Sequence, residues 1–328
     1  MWLADCASVA PCALVPPGAC HRAFAFEQAA RRLHDERVGR PWQEAALAEG
    51  MPGELPAGAL EGLPESVDLQ AADLSLLVQE AEVDMSVPPV GHTTGGSDAG
   101  YARWDKFVAG GGLRTYAKRR NESLDVHGVS RMSAYLNLGM VSPMRIAREA
   151  SIASGAGKSK FLHEFLTWRG VAYAHCYHFP MPASGPTLAQ LPTWAQESLQ
   201  KHAHERREGA ALQDLRAARS GDRAWDGMQR YLAETGELHN NARMGWGKAV
   251  ARWAASPEEA VAALVDLNDR FALDGHAPPS YAGLLGCLGL FEGPKAESAV
   301  MGKVSYRPPK PKYAALPGHA HELFACSP

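Results

Sequence analysis

Residues 256–275 read SPEEAVAALVDLNDRFALDG and carry a complete helix signal. The opening SPEE, at 256–259, combines a serine cap, a proline at the first helical position and a glutamate three residues after the serine. Similar starts lie at Ser142 and Ser159. Glycines that favour helix ends stand at Gly139, Gly236 and Gly275. Such helices follow one another from about residue 98 to 305 without alternating strands, which predicts an all-α domain.

Asn268 interrupts the apolar stripe of the helix that begins at Ser256. Val261, Leu264 and Val265 define the stripe, and Asn268 lies three residues further along it. A polar side chain therefore faces the core, either as an amide with internal hydrogen bonds or as a contact to a buried polar ligand.

Composition restricts the class of protein. The chain has 328 residues, 46% of them hydrophobic, which is enough for a substantial core in one or two domains. The formal net charge of −3 gives no global basic signal, so any contact with nucleic acid has to come from a local patch. Six cysteines without a C-x-x-C pair indicate reduced thiols in an intracellular protein.

Membrane and secretory signals are weak. No apolar run approaches the roughly 20 residues that span a bilayer. The apolar opening, residues 1–20, lacks a basic region and is interrupted by Asp5, so we do not interpret it as a signal peptide.

The segments around the helical domain have a different character. Residues 1–50 predict a short strand over 2–10 and then a helical connector, and residues 51–97 predict a loop-rich linker with one short amphipathic helix. The tail, residues 306–328, is predicted to be extended or disordered.

Three tryptophans lie on two neighbouring predicted helices. Trp246 and Trp253 are seven residues apart, so on one helix they share a face and are about 10 Å apart along the axis. Trp225 lies on the preceding helix. On this pattern alone the three indoles are either core packing or a relay of oxidisable rings.

Two further patterns concern phosphate. Ser130, Arg131 and Ser133 begin a short predicted helix, where free backbone N–H groups favour an anion. GAGKSK at 155–160 is not a phosphate loop, because Ile152 stands where that motif requires its first glycine.

Histidine pairs have spacings that a metal could use. His175 and His178 flank Cys176, and His202 lies two residues before His204. Because no further carboxylate or cysteine completes a site, we predict ordinary surface or core histidines and no metal.

Several of these segments together resemble the DNA photolyase/cryptochrome family, and most closely its class II enzymes, over roughly residues 91–305. The matching runs, in family order, are GGSDAGYARWDKF, YAKRRN, VSRMSAYLNLGMVSP, LPTWAQESLQKH, RAWDGMQ, LHNNARMGWGKAVARW and LNDRFALDG. WLADCASVAP and RAFAFEQAARRLHDERVGRPW are more weakly similar to the last strand and the connector of the family's N-terminal α/β domain. The resemblance implies a multi-helix FAD-binding domain over residues 98–305, with only a remnant of the α/β domain.

FAD is the cofactor that this resemblance implies. It assigns the phosphates and ribose to the residues Tyr116, Ser130, Arg131, Met132 and Ser133. It assigns the isoalloxazine to Arg243, Asp274 and Gly275, with Asn268 facing the flavin N5. It makes Trp246, Trp225 and Trp253 the triad through which the excited flavin is reduced. The antenna pigment is not expected, because the domain that holds it in the family is not recognised in this sequence.

The implied reaction is the light-driven repair of cyclobutane pyrimidine dimers in DNA, with an electron donated by reduced flavin to a base flipped out of the duplex. Trp194, Met244 and Arg169 are then expected in the substrate pocket. The alternatives are a cryptochrome-like blue-light photoreceptor that signals to a protein partner, and a truncated, inactive family member.

The chain departs from the family at two places near the implied site. Trp168 and Arg169 stand in place of an arginine pair, and Gly170 stands where a glutamate hydrogen-bonds the dimer. Loss of that acid predicts slower repair, and glycine inside a helix costs up to about 1 kcal/mol without a benefit that the sequence reveals. The family's D-G-R-D-P reads DGHAP at 274–278, which removes a charged pair beside the flavin.

Overall fold

The fold is all-α in a computed structural model that describes residues 6–40, 71–81, 83–205, 207 and 209–325. Within these ranges there are α-helices, short 3₁₀ turns and one π-helical segment, and no strand. The prediction of an all-α domain is therefore confirmed.

The helices follow one another closely along the chain. They are α1 (Ala23–Gly39), α2 (Leu74–Glu80), α3 (Ser97–Ala109), α4 (Gly112–Arg119), α5 (Ser133–Asn137), α6 (Pro143–Ile152), α7 (Lys158–Leu162), α8 (Arg169–His178), α9 (Thr193–Lys201), α10 (Leu212–Arg216), α11 (Arg223–Thr235), α12 (Asn240–Trp253), α13 (Pro257–Phe271), α14 (Pro278–Gly286) and α15 (Leu316–Ala325). The π-helical segment His163–Trp168 joins α7 to α8 without a break.

The chain forms two compact units. The first contains residues 1–39 and 90–328, and the second contains residues 40–89. In its described part the second unit holds α2, which begins after Asp73, whose carboxylate accepts hydrogen bonds from the N–H groups of Ser75 and Leu76. The predicted linker over 51–70 lies outside the described residues.

The main hydrophobic core of the first unit lies among α11, α12, α13 and α14. Trp225, Trp246 and Leu264 are fully buried there. A second cluster surrounds Trp104 of α3, and a third joins the N-terminal segment to α8 through Phe26. These clusters fix the helices that surround the cavity described below.

Helix starts follow the sequence signals in two of three cases. Ser142 and Ser256 cap α6 and α13, each accepting a hydrogen bond from the N–H three residues later, at 3.4 and 3.1 Å. Ser159 does not cap a helix, because α7 already begins at Lys158 after Gly157.

Helix ends agree less well with the glycines. Gly236 ends α11 in the left-handed conformation, with φ +66°, and Gly139 adopts φ +68° two residues after α5. The prediction that Gly275 ends α13 is wrong, because α13 ends at Phe271. The left-handed residue of that loop is His276, with φ +56°.

Both ends of the chain differ from the prediction. The described part of the predicted strand, residues 6–10, has no strand structure, because it makes no ladder with another segment. The tail is neither extended nor disordered over 311–325: a 3₁₀ turn over Pro311–Ala315 leads into α15. Tyr313, Leu316 and Leu323 are buried, and burial of their apolar surface stabilises the tail in this position.

Among the described residues, no helix combines the length and the apolar character that a membrane crossing requires.

Candidate functional site

A cavity of about 800 Å³ lies among the helices of the first unit. Its wall is formed by α4, the residues before α5, the π-helical segment, the start of α8, the start of α12, and the loops on either side of α14. The wall combines apolar side chains with charged and hydroxyl groups. This is the composition that binds organic cofactors and substrates.

Nine of the site residues predicted from the sequence line this cavity. They are Tyr116, Ser130, Arg131, Met132, Ser133, Arg169, Arg243, Met244 and Asp274. Six other predicted residues are not part of the wall: Asn268, Gly275, Trp194, Trp225, Trp246 and Trp253.

The turn before α5 presents four consecutive residues, 130–133, to the cavity. Arg131 has φ +55°, a left-handed conformation that costs a non-glycine residue about 1–3 kcal/mol and is typical of functional sites. Its guanidinium donates two hydrogen bonds to Glu237, at 2.6 and 2.9 Å. Arg131 therefore reaches the cavity as part of an ion pair.

Arg243 and Asp274 form a second ion pair in the wall. Arg243 lies in the first turns of α12, and Asp274 follows α13, so residues from two packed helices meet at 2.8 Å. Both side chains are largely buried, 13% and 21% exposed, which strengthens their interaction compared with that of a surface pair. This contact brings the two residues together in one part of the wall.

Asn268 lies behind the wall. It is buried, as the apolar stripe of α13 predicted. Its amide donates to Asp269 and accepts a hydrogen bond from the hydroxyl of Ser280, each at 2.8 Å. Because Ser280 lines the cavity, Asn268 orients a hydroxyl in the wall and is itself a buried amide with internal partners.

Three indoles form a continuous array in the main core, on α11 and on α12, the helix that also carries the cavity residues Arg243 and Met244. Trp246 and Trp225 are stacked, with ring centroids 6.2 Å apart and planes 6° apart. Trp225 then contacts Trp253 edge to face at 5.7 Å. Trp225 donates its indole hydrogen bond to the carbonyl of Trp246, and Trp246 donates to the side chain of Gln229, so these two rings are held in one orientation.

Arg169, at the start of α8, lines the cavity and is nearly enclosed by neutral acceptors. Its guanidinium donates to the carbonyls of Ala7 and Leu136 and to the hydroxyl of Tyr173. Burial without a carboxylate lowers the pKa of this guanidinium below its ordinary value. Its Nε is buried and makes no hydrogen bond within the described part of the protein.

Gly170 faces away from the cavity. A Cβ atom built on Gly170 would lie 2.6 Å from the ring of Phe26 in α1. The glycine therefore has a structural benefit that the sequence did not reveal, because only a residue without a side chain lets α8 approach α1 this closely. A glutamate at this position would meet Phe26 before it met any ligand.

Trp194 and Gly275 occupy other surroundings than those expected. Trp194, the second residue of α9, packs partly buried against the main core. The carbonyl of Gly275 accepts a hydrogen bond from the Asn137 side chain at 2.8 Å and so fixes the loop after α13.

The wall also contains charged groups that sequence reasoning missed. Arg120 pairs with Glu164 at 3.0 Å, and Lys160 pairs with the same carboxylate at 2.6 Å, beside the buried Tyr116. Burial raises the pKa of the Tyr116 hydroxyl. Only the i,i+4 spacing of Lys160 and Glu164 could have been found in the sequence.

His239 supports the same part of the wall. Its Nε2 lies 2.8 Å from the Arg120 carbonyl and its Nδ1 accepts from the N–H of Asn241, which caps α12. Burial lowers the pKa of His239, so the neutral ring is favoured.

The histidine pairs considered in the sequence contact the protein itself. His175 and His178 hydrogen-bond to backbone carbonyls of the N-terminal segment, and His202 contacts Glu205 and Glu297. Across the described part of the chain, no group of three histidine, cysteine or acidic residues has a geometry that could hold a metal ion.

Known proteins provide an independent comparison. No protein-family model matches the chain. A deoxyribodipyrimidine photo-lyase of Methanothermobacter thermautotrophicus is 32% identical over 195 residues, which are 59% of this chain and 42% of the relative. The deoxyribodipyrimidine photo-lyase of Oryza sativa subsp. japonica is 30% identical over 252 residues, or 74% of this chain and 48% of the relative. The chain thus spans about half the length of the curated relatives it matches.

Solved structures share the fold. The chain resembles a class III photolyase from Agrobacterium tumefaciens with a TM-score of 0.50 at 17% identity, over 70% of this chain and 45% of that protein. It resembles the Synechocystis cryptochrome with a TM-score of 0.51 at 16% identity, over 72% and 50% of the two chains. The ordered sequence motifs, the all-α fold and these relatives agree, and the chain belongs to the DNA photolyase/cryptochrome family.

Proposed function

We propose that this chain binds FAD in the 800 Å³ cavity and uses it for the light-driven repair of cyclobutane pyrimidine dimers in DNA. The observation that carries the proposal is the contact between Trp246, Trp225 and Trp253, two of which share α12 with residues that line a cavity whose wall holds paired charges. Photolyases and cryptochromes generally bind FAD, and curated relatives are named deoxyribodipyrimidine photo-lyase.

The residues present are compatible with FAD. The cavity volume falls in the range of cofactor sites, about 300–1,000 Å³. Hydroxyl and charged side chains of the wall, such as Ser133 and Arg243, offer polar contacts to a ligand in the same space. A wall of apolar side chains with a few fixed charges also suits a ligand that joins a flat ring system to phosphates.

Two groups of residues are the proposed cofactor contacts. Tyr116 and the turn 130–133 would hold the phosphates and ribose, since the turn offers hydroxyls and backbone N–H groups. The Arg243–Asp274 pair would hold the flavin ring, since guanidinium and carboxylate match its acceptors and donors. Asn268 would act through Ser280 rather than by direct contact.

The indole array would conduct electrons toward the cofactor. Bound FAD would supply light absorption and one-electron chemistry, which amino-acid side chains do not provide. Trp246 and Trp225 are fully buried and Trp253 is partly exposed, so the array leads from the interior toward solvent. An external reductant could therefore reach it at Trp253.

The proposal is tested first by absorption spectroscopy of the purified protein. The wild type should show a flavin spectrum that is lost under blue light with a reductant, and the Trp246→Phe variant should keep its flavin spectrum. This result would support both FAD binding and electron transfer through the tryptophans. A protein that stays colourless after addition of FAD would refute the proposal and leave the inactive family member as the remaining interpretation.

A second function, a cryptochrome-like blue-light photoreceptor, is favoured by one observation. Gly170 presses against Phe26, so the helix position that carries a dimer-contacting glutamate in the family offers none here. A repair assay on DNA with one thymine dimer separates the two functions. Light-dependent dimer loss supports the lyase, whereas photoreduction without dimer loss supports the photoreceptor.

A further inference from the structure

Glu292 is a carboxylate in the cavity wall that the proposed cofactor contacts do not use. It lies in the loop after α14, and its side chain is 27% exposed. One carboxylate oxygen accepts a hydrogen bond from the hydroxyl of Ser305 at 2.6 Å. The other lies 3.4 Å from the ammonium of Lys248, which also donates to the hydroxyl and the carbonyl of Ser305, both at 2.8 Å.

Lys248 and Glu292 form an ion pair. Lys248 is 1% exposed, and a buried ammonium needs a counter-charge close to it. Glu292 is the carboxylate that its ammonium contacts, and the two carboxylate oxygens accept hydrogen bonds from Lys248 and Ser305. Each of its oxygens keeps a lone pair beyond the contacts to Ser305 and Lys248. A ligand group that meets Glu292 therefore has to be a hydrogen-bond donor.

The backbone at Phe291 turns this part of the wall inward. Phe291 has φ +65°, a left-handed conformation that is unfavourable for an aromatic residue and is maintained only where the surrounding structure requires it. Phe291 and Glu292, although consecutive, both line the cavity as a result.

Trp168 marks this region as an entrance. Its ring is 42% exposed and contacts Phe291 edge to face, with centroids 6.2 Å apart. Both residues line the cavity. A flat ring that enters from solvent would thus pass aromatic edges and meet the carboxylate of Glu292.

We propose that Glu292 accepts a hydrogen bond from the imide N3–H of a thymine ring in the cavity, an inference that rests on the proposed function. In DNA the N1 atom of thymine is bonded to the sugar, so N3–H is the one N–H donor of this base. Lys248 and Ser305 are positioning residues for the carboxylate. Glu292 would supply the pocket acid that position 170 has no room to hold.

The test measures binding of single-stranded DNA with one cyclobutane thymine dimer, either unmodified or N3-methylated on one ring, in the dark. We expect methylation on the ring that Glu292 contacts to weaken binding to the wild type about tenfold to a hundredfold, as for loss of a hydrogen bond to a charged group. The Glu292→Ala variant should bind the unmodified dimer as weakly as the wild type binds the methylated dimer. Methylation should then have little further effect on binding to the variant.

Two further variants guard against misfolding. Glu292→Gln keeps the volume and removes the charge, and its methylation penalty should fall below that of the wild type. Glu205→Gln is the matched control, because Glu205 holds the same loop through the N–H of Val300 and lies outside the cavity wall. Its methylation penalty should equal that of the wild type.

The positioning residues have a separate readout. Ser305→Ala should reduce the methylation penalty, and Ser305→Thr, which keeps the hydroxyl, should restore it. A merely structural role for Ser305 would change affinity for both DNAs equally and leave their ratio unchanged.

The outcomes separate this inference from the proposed function. If dimer DNA binds more tightly than undamaged DNA but methylation has the same effect with and without Glu292, the inference is wrong and the function stands. If Glu292→Ala weakens FAD binding and leaves the methylation penalty intact, the carboxylate contacts the flavin and the inference is also wrong. If the wild type does not prefer dimer DNA, both fail.

Discussion

The tryptophan array and the charged cavity wall share helix α12 but are built differently. The array comes from α11 and α12, whose stacked pair is separated by 21 residues in the chain, and its rings contact one another directly without any charged group. The wall depends on partners that are far apart, such as Arg131 and Glu237, 106 residues from each other. Rigid packing places the indoles, whereas matched charges from separate segments place the polar groups.

This difference separates what each region can do. Indole rings in contact offer oxidisable groups in fixed positions and exclude water, which suits electron transfer. Ion pairs with partly exposed side chains retain donors and acceptors for a ligand, which suits binding and orientation. Substitutions in the array should therefore affect photochemistry, and substitutions in the wall should affect affinity and stability.

The largest effect is expected from Trp225→Phe, which should reduce photoreduction of bound FAD to background. Phenylalanine keeps most of the apolar volume but is much harder to oxidise, and Trp225 contacts both other rings. The measurement is the rate of flavin bleaching under blue light with a reductant.

Trp104→Phe is the control for that experiment. Trp104 is equally buried and donates its indole hydrogen bond to Glu149, but it belongs to a different cluster. If both variants photoreduce at the wild-type rate, electrons do not pass through the array.

Gly170→Ala should lower the free energy of unfolding by about 2–3 kcal/mol, because the new methyl group overlaps Phe26 and forces the helices apart. Urea denaturation measures the effect. Gly318→Ala in α15 is the matched control: nothing lies within 4 Å of its Cβ, so the free energy of unfolding should rise by about 0.5–1 kcal/mol. Equal effects at the two positions would contradict the close approach of α8 to α1.

Glu237→Gln should lower the free energy of unfolding by about 1–2 kcal/mol, because the partly buried Arg131 loses a charged acceptor. The exposed pair Arg219–Asp214 provides the comparison, and Asp214→Asn should change stability by less than about 0.5 kcal/mol. Chemical denaturation at two salt concentrations measures both changes. If the loss of stability caused by Glu237→Gln depended strongly on salt, the Arg131–Glu237 pair would not be partly buried.

The smallest effect concerns pH and His175. Burial lowers the pKa of His175 below its ordinary value of 6.5. The unfolded chain therefore binds the proton more readily, so this contribution to stability is present above pH 6.5 and is lost as pH falls toward the lower folded pKa. His175→Gln should lose less stability than wild type between pH 7 and pH 5 in thermal unfolding. A steeper loss in the variant would reverse the sign and contradict the burial argument.

The sequence was sufficient for features that depend on local periodicity. The caps Ser142 and Ser256, the buried position of Asn268 and the placement of Trp246 and Trp253 on one helix all follow from spacing along a helix. The start of the short helix at Ser130, Arg131 and Ser133 also follows from local sequence, and the family resemblance added Tyr116 and Met132; all five residues line the cavity.

Features that depend on tertiary packing were not predictable in this way. Lys248 and Glu292 come from different elements, and no spacing rule joins them. The tail differs from the prediction because Pro317 and Gly318 disfavour a helix in isolation, and burial of Tyr313 and Leu316 compensates for that. Gly170 was interpreted as a lost acid, although its environment is a ring from α1.

The π-helical segment His163–Trp168 helps to decide which side chains of α8 face the cavity. A π turn contains about one residue more than an α turn, so every side chain after it is rotated about the helix axis. Arg169 then faces the cavity while Gly170 faces α1. A helix of the same sequence without this π turn would present different residues to the same ligand. Substitution of one residue would then leave the orientation of the other side chains unchanged.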